Sequence, residues 1–106
     1  MYLEARGFKV LARNLRLGPL EIDIVARQGP LVAVVEVRSR GAGSFTGPFA
    51  SVTPAKRKNL LRAAERLWRD RLRGSMDIQR VRIDVAAVTF DGDVARIAYQ
   101  AGAIVG

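Results

Sequence analysis

Between Leu20 and Arg40 the sequence reads LEIDIVARQGPLVAVVEVRSR, an apolar stretch interrupted by charges at even spacing: Glu21 and Asp23, then Glu36 and Arg38. The first half alternates and the second is almost wholly β-branched or aliphatic, so the stretch predicts two strands joined by a turn. Strand side chains two apart share a face, and residues paired across a hairpin project to the same side. A two-residue loop at Gln28-Gly29, or one spanning Arg27 to Pro30, sets Glu21 opposite Glu36 with Asp23 diagonal to it. A four-residue loop from Gln28 to Leu31 sets Asp23 directly opposite Glu36. Either choice gathers three carboxylates and an arginine on one face, whereas an odd loop scatters them. Two unit charges about 5 Å apart at an effective dielectric near 20 repel by about 3 kcal/mol, a sizeable part of a domain's stability of roughly 5 to 15 kcal/mol. A positive group must therefore stand among them: a divalent cation, Arg38, or both.

The residue types that are missing narrow the chemistry further. The 106 residues include no cysteine and no histidine, which excludes a disulfide framework, a thiolate nucleophile, a zinc ribbon and a histidine general base. A metal must then be held by carboxylate and carbonyl oxygens, which favours Mg²⁺ or Mn²⁺. The net charge is +8, from 18 Lys and Arg against 10 Asp and Glu; only Lys9, Lys56 and Lys58 are lysines. Arginine's planar fork suits phosphate and stacks on bases, so the bias points to nucleic acid. No apolar run approaches the roughly 20 residues that span a bilayer, and no charged-then-apolar leader opens the sequence. The expectation is a cytoplasmic protein with no membrane partner, folded as one domain over residues 1–106.

The elements that must position these charges follow from the same periodicities. Met1 to Arg6 reads as the end of a helix stopped by Gly7, a first helix that is shortened, and Phe8 to Leu17 reads as a strand ended by Gly18-Pro19. In the hairpin, Leu20, Ile22, Ile24 and Ala26 are expected on one face and Glu21 and Asp23 on the other. Gly41 to Ser51 is too rich in glycine for regular structure, and its Phe45 and Phe49 are candidates to stack on or wedge between bases. Thr53-Pro54 opens a helix running to about Arg73, with Leu60, Leu61, Ala64, Leu67, Trp68 and Leu72 on the core side. Lys58, Arg62, Arg66, Arg69 and Arg73 fall within an arc of roughly 80° opposite, at 100° per residue. Lys56 and Arg57 stand in the first turn beside the apolar side, within reach of the carboxylates. Gln79 to Phe90 is a long strand, and Asp91-Gly92-Asp93 turns into a last strand, Val94 to Tyr99. The fold class is α/β: a single mixed sheet flanked by helices, the third and fourth strands parallel through a helical crossover.

An acidic residue on one strand, a turn, and E-x-R on the next resembles the PD-(D/E)XK nucleases. The blocks YLEARGFKVLARNLR, EIDIVA, LVAVVEVRSR, the T-x-x-K of Thr53 to Lys56 and the RIDV of Arg82 to Val85 resemble, in that order, the uncharacterised YraN-like family. That resemblance covers nearly the whole chain. It implies a restriction-endonuclease-like core (αβββαβ plus a terminal strand), akin to Holliday-junction resolvases, and with it a homodimer. It further implies Asp23 and Glu36 as catalytic carboxylates that bind Mg²⁺ or Mn²⁺, the Val37 carbonyl as a further metal ligand, and Glu21 as an acidic partner. Arg38 stands where the motif carries lysine; it can stabilise charge but cannot take a proton from water. Family members usually begin with a longer first helix carrying a glutamate.

Three readings are open from the residues. The first is a Mg²⁺-dependent endonuclease on structured DNA, with Lys56, Lys58, Arg62, Arg66, Arg69 and Arg73 gripping phosphates. The second is a DNA- or RNA-binding module that kept the fold and lost or weakened the chemistry. In the third, Glu21, Asp23, Glu36, Arg38, Arg82 and Asp84 form only a cross-strand salt ladder.

Overall fold

Leu31–Gly41 is the central strand because nothing in its first half needs water: Val32, Ala33, Val34 and Val35 are all buried. In the computed structural model, which describes residues 2–41, 52–75 and 77–105 (40 and 41 by backbone alone), this strand is β3. Before it come α1 (Tyr2–Ala5), β1 (Lys9–Leu17) and β2 (Leu20–Gln28); after it come α2 (Pro54–Leu67), β4 (Arg80–Asp91) and β5 (Val94–Ile104). The strands form one mixed sheet in the order β1-β2-β3-β4-β5. Every pairing is antiparallel except β3 with β4, which run parallel from Leu31↔Arg80 to Gly41↔Phe90 across the α2 crossover. This is the expected αβββαβ order with a terminal strand. Phe45 and Phe49 lie outside the described residues.

The two faces of β3 feed two cores. Val32 and Val34 pack with Ile22, Val25 and Ile83 beneath Leu60, Ala63 and Leu67 of α2. Ala33 and Val35 pack with Ala26, Ala86 and Leu3 on the other face. α2 starts where its cap dictates: Thr53 Oγ1 accepts from the Lys56 amide at 3.1 Å, and Pro54 occupies the first turn. Burying a leucine such as Leu60 or Leu67 contributes about 2 kcal/mol, far more than any exposed ion pair on this helix.

Three sequence expectations need correction. The helix does not run evenly to Arg73: from Trp68 to Leu72 it widens into a π turn, closed by the Arg73 amide on the Trp68 carbonyl at 2.8 Å. Such a turn takes in an extra residue, so Arg73 leaves the arc computed for a regular helix. β5 extends to Ile104, because two extra residues bulge between Gln100 and Ile104 and pairing resumes beyond them.

The third correction bears on the site. Strict alternation in β2 fails, since Ile22 lies in the α2-side core while Ile24 and Ala26 pack on the opposite face. The same shift occurs in β1, where Ala12 and Leu15 both join the α2-side core. Asn14 lies between them with φ +50, the only non-glycine residue of positive φ among those described. The pairs Arg13↔Ile24 and Leu15↔Ile22 set Asn14 opposite Asp23, so both strands change phase at these two residues.

Candidate metal centre and nucleic-acid surface

The hairpin loop is Gly29-Pro30, closed by Gln28↔Leu31, with Gly29 at φ +58 as the first position of a II′ turn demands. Continued past the last ladder pair, Ile24↔Val35, that register sets Asp23 opposite Glu36, the arrangement expected from a loop of Gln28 to Leu31, although the loop itself is only two residues long. Regular pairing stops there, and a side chain takes over: the Val37 amide donates to Asp23 Oδ2 at 2.9 Å. A strand residue directs its N–H and C=O toward the same neighbour, so the Val37 carbonyl also projects into the seam opening between β2 and β3. Beside it lies a hollow of about 310 Å³ lined by Arg13, Asn14, Asp23, Ile24 and Val37.

Glu36 is only 2% exposed. Its Oε1 meets Lys56 Nζ at 3.3 Å and Arg38 Nη1 at 3.6 Å, while Oε2 is buried with no hydrogen-bond partner. Burial pushes the Glu36 carboxyl above the ordinary carboxylate range, and the Asp23 charge pushes the same way; Lys56 and then Arg38 pull it back. A buried carboxylate oxygen left bare is costly. The vacant lone pairs beside a second carboxylate are what an oxygen-seeking cation takes up, so Asp23, Glu36 and the Val37 carbonyl fit the donor chemistry expected of Mg²⁺ or Mn²⁺.

Glu21 does not join them. With Leu20 and Ile22 turned into the α2-side core, Glu21 pairs across the strands with Arg16 at 3.4 Å on the surface. Among the described residues no three acidic side chains stand close enough to share one ion. The long salt ladder does not form either. Arg82 and Asp84 make a separate fork, Nε to Oδ1 at 2.8 Å and Nη2 to Oδ2 at 2.9 Å, joined by the Tyr99 hydroxyl and by the Gly102 amide at 2.8 Å. Asp84 is fully buried by these partners. Burial and the Asp84 hydrogen bond hold the Tyr99 hydroxyl well above its usual range, so it stays a donor.

On α2, Lys56 serves Glu36, as its place in the first turn allowed. Lys58, Arg62 and Arg73 are exposed. Arg66 and Arg69 both reach Asp70 at 3.3 Å, which offsets part of their charge. Arg62, Arg66 and Arg69 line a shallow groove of about 280 Å³ with Glu65, Pro19 and Leu20. Arg66 lies over Gly18, where an added Cβ would come within 2.5 Å of its guanidinium. A larger hollow, about 440 Å³, opens on the other flank between Trp68 and β4, but it is mostly apolar and remote from the carboxylate pair.

Asn14, one asparagine in a charged strand, gives no periodic signal in the sequence. The model of the uncharacterised protein family UPF0102 matches residues 1–88, a stretch that includes Asn14, both carboxylates, Lys56 and Asp84. The chain belongs to the UPF0102 family. A UPF0102 protein of Sorangium cellulosum is 48% identical over 89 residues, covering 84% of this chain and 62% of its own length. UPF0102 proteins named YraN are similar too: 43% identical in Salmonella typhi and 42% in Salmonella arizonae, over 84% and 83% of this chain and 67% and 66% of theirs. This UPF0102 chain thus spans about two thirds of the length of those relatives. No helix among its described residues is long and apolar enough to cross a membrane.

Proposed function

We propose that this chain is a nucleic-acid-binding protein carrying a Mg²⁺- or Mn²⁺-dependent endonuclease site of the PD-(D/E)XK type, acting on structured DNA. The observation that carries it is the buried Glu36, with one oxygen bare, paired with Asp23 where β2 and β3 part. Asp23, Glu36 and the Val37 carbonyl would hold the cation. When bound, it neutralises charge developing on a phosphodiester and lowers the pKa of an attacking water.

The chain's own residues do the rest. Arg38 keeps its proton and offers charge to the phosphate oxygens. Lys56 brings to Glu36 the ammonium that position 38 of this chain lacks, reaching it from α2 instead of β3. The exposed cations Lys58 and Arg62, with Arg66 and Arg69 beside them and Arg73 set off their arc by the π turn, grip backbone phosphates without reading bases. A second reading, a binding module with weakened chemistry, is favoured by one observation, the arginine at position 38.

The test is incubation with duplex, single-stranded and four-way-junction DNA in Mg²⁺, Mn²⁺ or EDTA, beside Asp23→Ala and Glu36→Ala. Metal-dependent cleavage abolished in both variants is expected. Salt-sensitive binding without cleavage supports the binding module instead, and neither cleavage nor binding defeats both readings.

A further inference from the structure

Glu36 Oε1 serves two cations at once, Lys56 Nζ at 3.3 Å reaching across from α2 and Arg38 Nη1 at 3.6 Å from its own strand. The other oxygen, Oε2, is bare but buried. A hydrated ion arriving from solution therefore finds one oxygen taken and the other out of reach. The charges agree with this geometry. Asp23 and Glu36 bring two negative charges and Lys56 and Arg38 two positive ones, so the four cancel, and a dication set among them leaves a surplus of two. Like charges this close repel strongly, and a phosphodiester removes part of the surplus.

Burial decides which of the four groups can answer a phosphate. The Glu36 side chain is 3% exposed, whereas those of Lys56 and Arg38 are 39% and 33% exposed on long stems that can swing toward water. A phosphate approaching the site meets these two cations first and draws them outward. Glu36 cannot follow.

We propose that Lys56 and Arg38 bar the dication from Glu36 until substrate phosphate takes them, so that cation and nucleic acid load this site together. This rests on the metal site proposed above and adds how that site is kept closed. Coupling of this kind is reciprocal: phosphate raises the affinity for the dication, and the dication raises the affinity for nucleic acid by the same factor.

The experiment is Mn²⁺ binding to the full chain at pH 8 by calorimetry, without DNA, in wild type, Lys56→Met, Lys56→Arg and the double variant Lys56→Met with Arg38→Met. Removing one positive charge beside the ion should raise Mn²⁺ affinity by about tenfold or more in Lys56→Met, and further in the double variant. Lys56→Arg keeps the charge and should stay near wild type. A lysine that only orients Glu36 for the ion gives the opposite sign, so affinity at or below wild type in Lys56→Met overturns the proposal and leaves the metal site standing. No binding in the double variant, or wild-type binding that survives Asp23→Ala unchanged, removes the metal site and the proposal with it. The second arm is binding of four-way-junction DNA by fluorescence anisotropy in EDTA or Ca²⁺ at matched ionic strength, the DNA confirmed whole on a gel. Ca²⁺ should tighten binding in wild type, and by a smaller factor in Lys56→Met; equal factors overturn the proposal.

Discussion

Asp84 and Glu36 are the two buried acids among the described residues, and their surroundings assign them opposite work. Asp84 accepts from both arms of Arg82, from Tyr99 and from the Gly102 amide, so its carboxylate is satisfied and its task is to hold β5 on β4. Four hydrogen bonds to a charged group at about 1.5 to 3 kcal/mol each would sum to about 6 to 12 kcal/mol, most of a domain's roughly 5 to 15 kcal/mol, and contacts that share one carboxylate are not additive. The relevant figure is that of breaking one buried ion pair, about 3 to 5 kcal/mol. Asp84→Ala should therefore lose about that much. At about 4 to 8 °C per kcal/mol for a chain near this size, the midpoint should fall by at least about 12 °C. Tyr99→Phe, which removes one donor of the four, should cost about 1 to 2 kcal/mol. Urea and thermal unfolding followed by circular dichroism measure all three proteins. A double-mutant cycle with Arg82→Ala should show coupling, the second substitution costing much less than the first. Asp84→Ala within about 1 kcal/mol of wild type would refute the reasoning, because a fully desolvated carboxylate with these partners cannot be that dispensable.

Glu36 behaves in the reverse sense. Its raised pKa means that the folded chain holds this proton more tightly than the unfolded chain, so ionisation costs stability as pH climbs above the ordinary value of 4.5. Glu36→Gln should match wild type near pH 4 and melt higher than wild type once pH passes the ordinary value of 4.5, a gap that levels off above the folded-state pKa and that Mn²⁺ should narrow by stabilising wild type alone. Replacing Lys56 by Met should leave the fold standing, since its side chain is 39% exposed, while cleavage falls more than DNA binding. Neutralising Arg62 and Arg73 to Gln should weaken binding to all DNA sequences alike and reduce the slope of log affinity against log salt by about 2, read by fluorescence anisotropy. Gly18→Ala should cost about 1 kcal/mol or more, because the left-handed backbone disfavours a Cβ and Arg66 must move off it.

Much of the architecture was legible where one physical signal dominates. β3 announces itself by a β-branched run, α2 by Thr53-Pro54 and a leucine stripe, and the parallel crossover by a helix between strands. The register of the hairpin was open from pattern alone, although glycine immediately before proline in QGPL is itself the II′ signature that selects Asp23 opposite Glu36. Three things were hidden. The phase change at Asn14 and Asp23 has no periodic trace, and it is why Glu21 leaves the site. The π turn overrides a helical arc that propensity does nothing to forbid. Asp84 read as one rung of a salt ladder because its partners lie far along the chain, Tyr99 on the strand past the next turn and Gly102 in the bulge beyond it.

The hairpin also sets an order of events. Asp23 and Glu36 are brought together by a two-residue loop, whereas Lys56 reaches them only once the crossover has aligned Leu31 with Arg80. Closing the short loop is fast and closing the long one is slow. The short loop thus favours the meeting of the two acids before their ammonium arrives, and the cation proposed for this site would offset their repulsion in that interval.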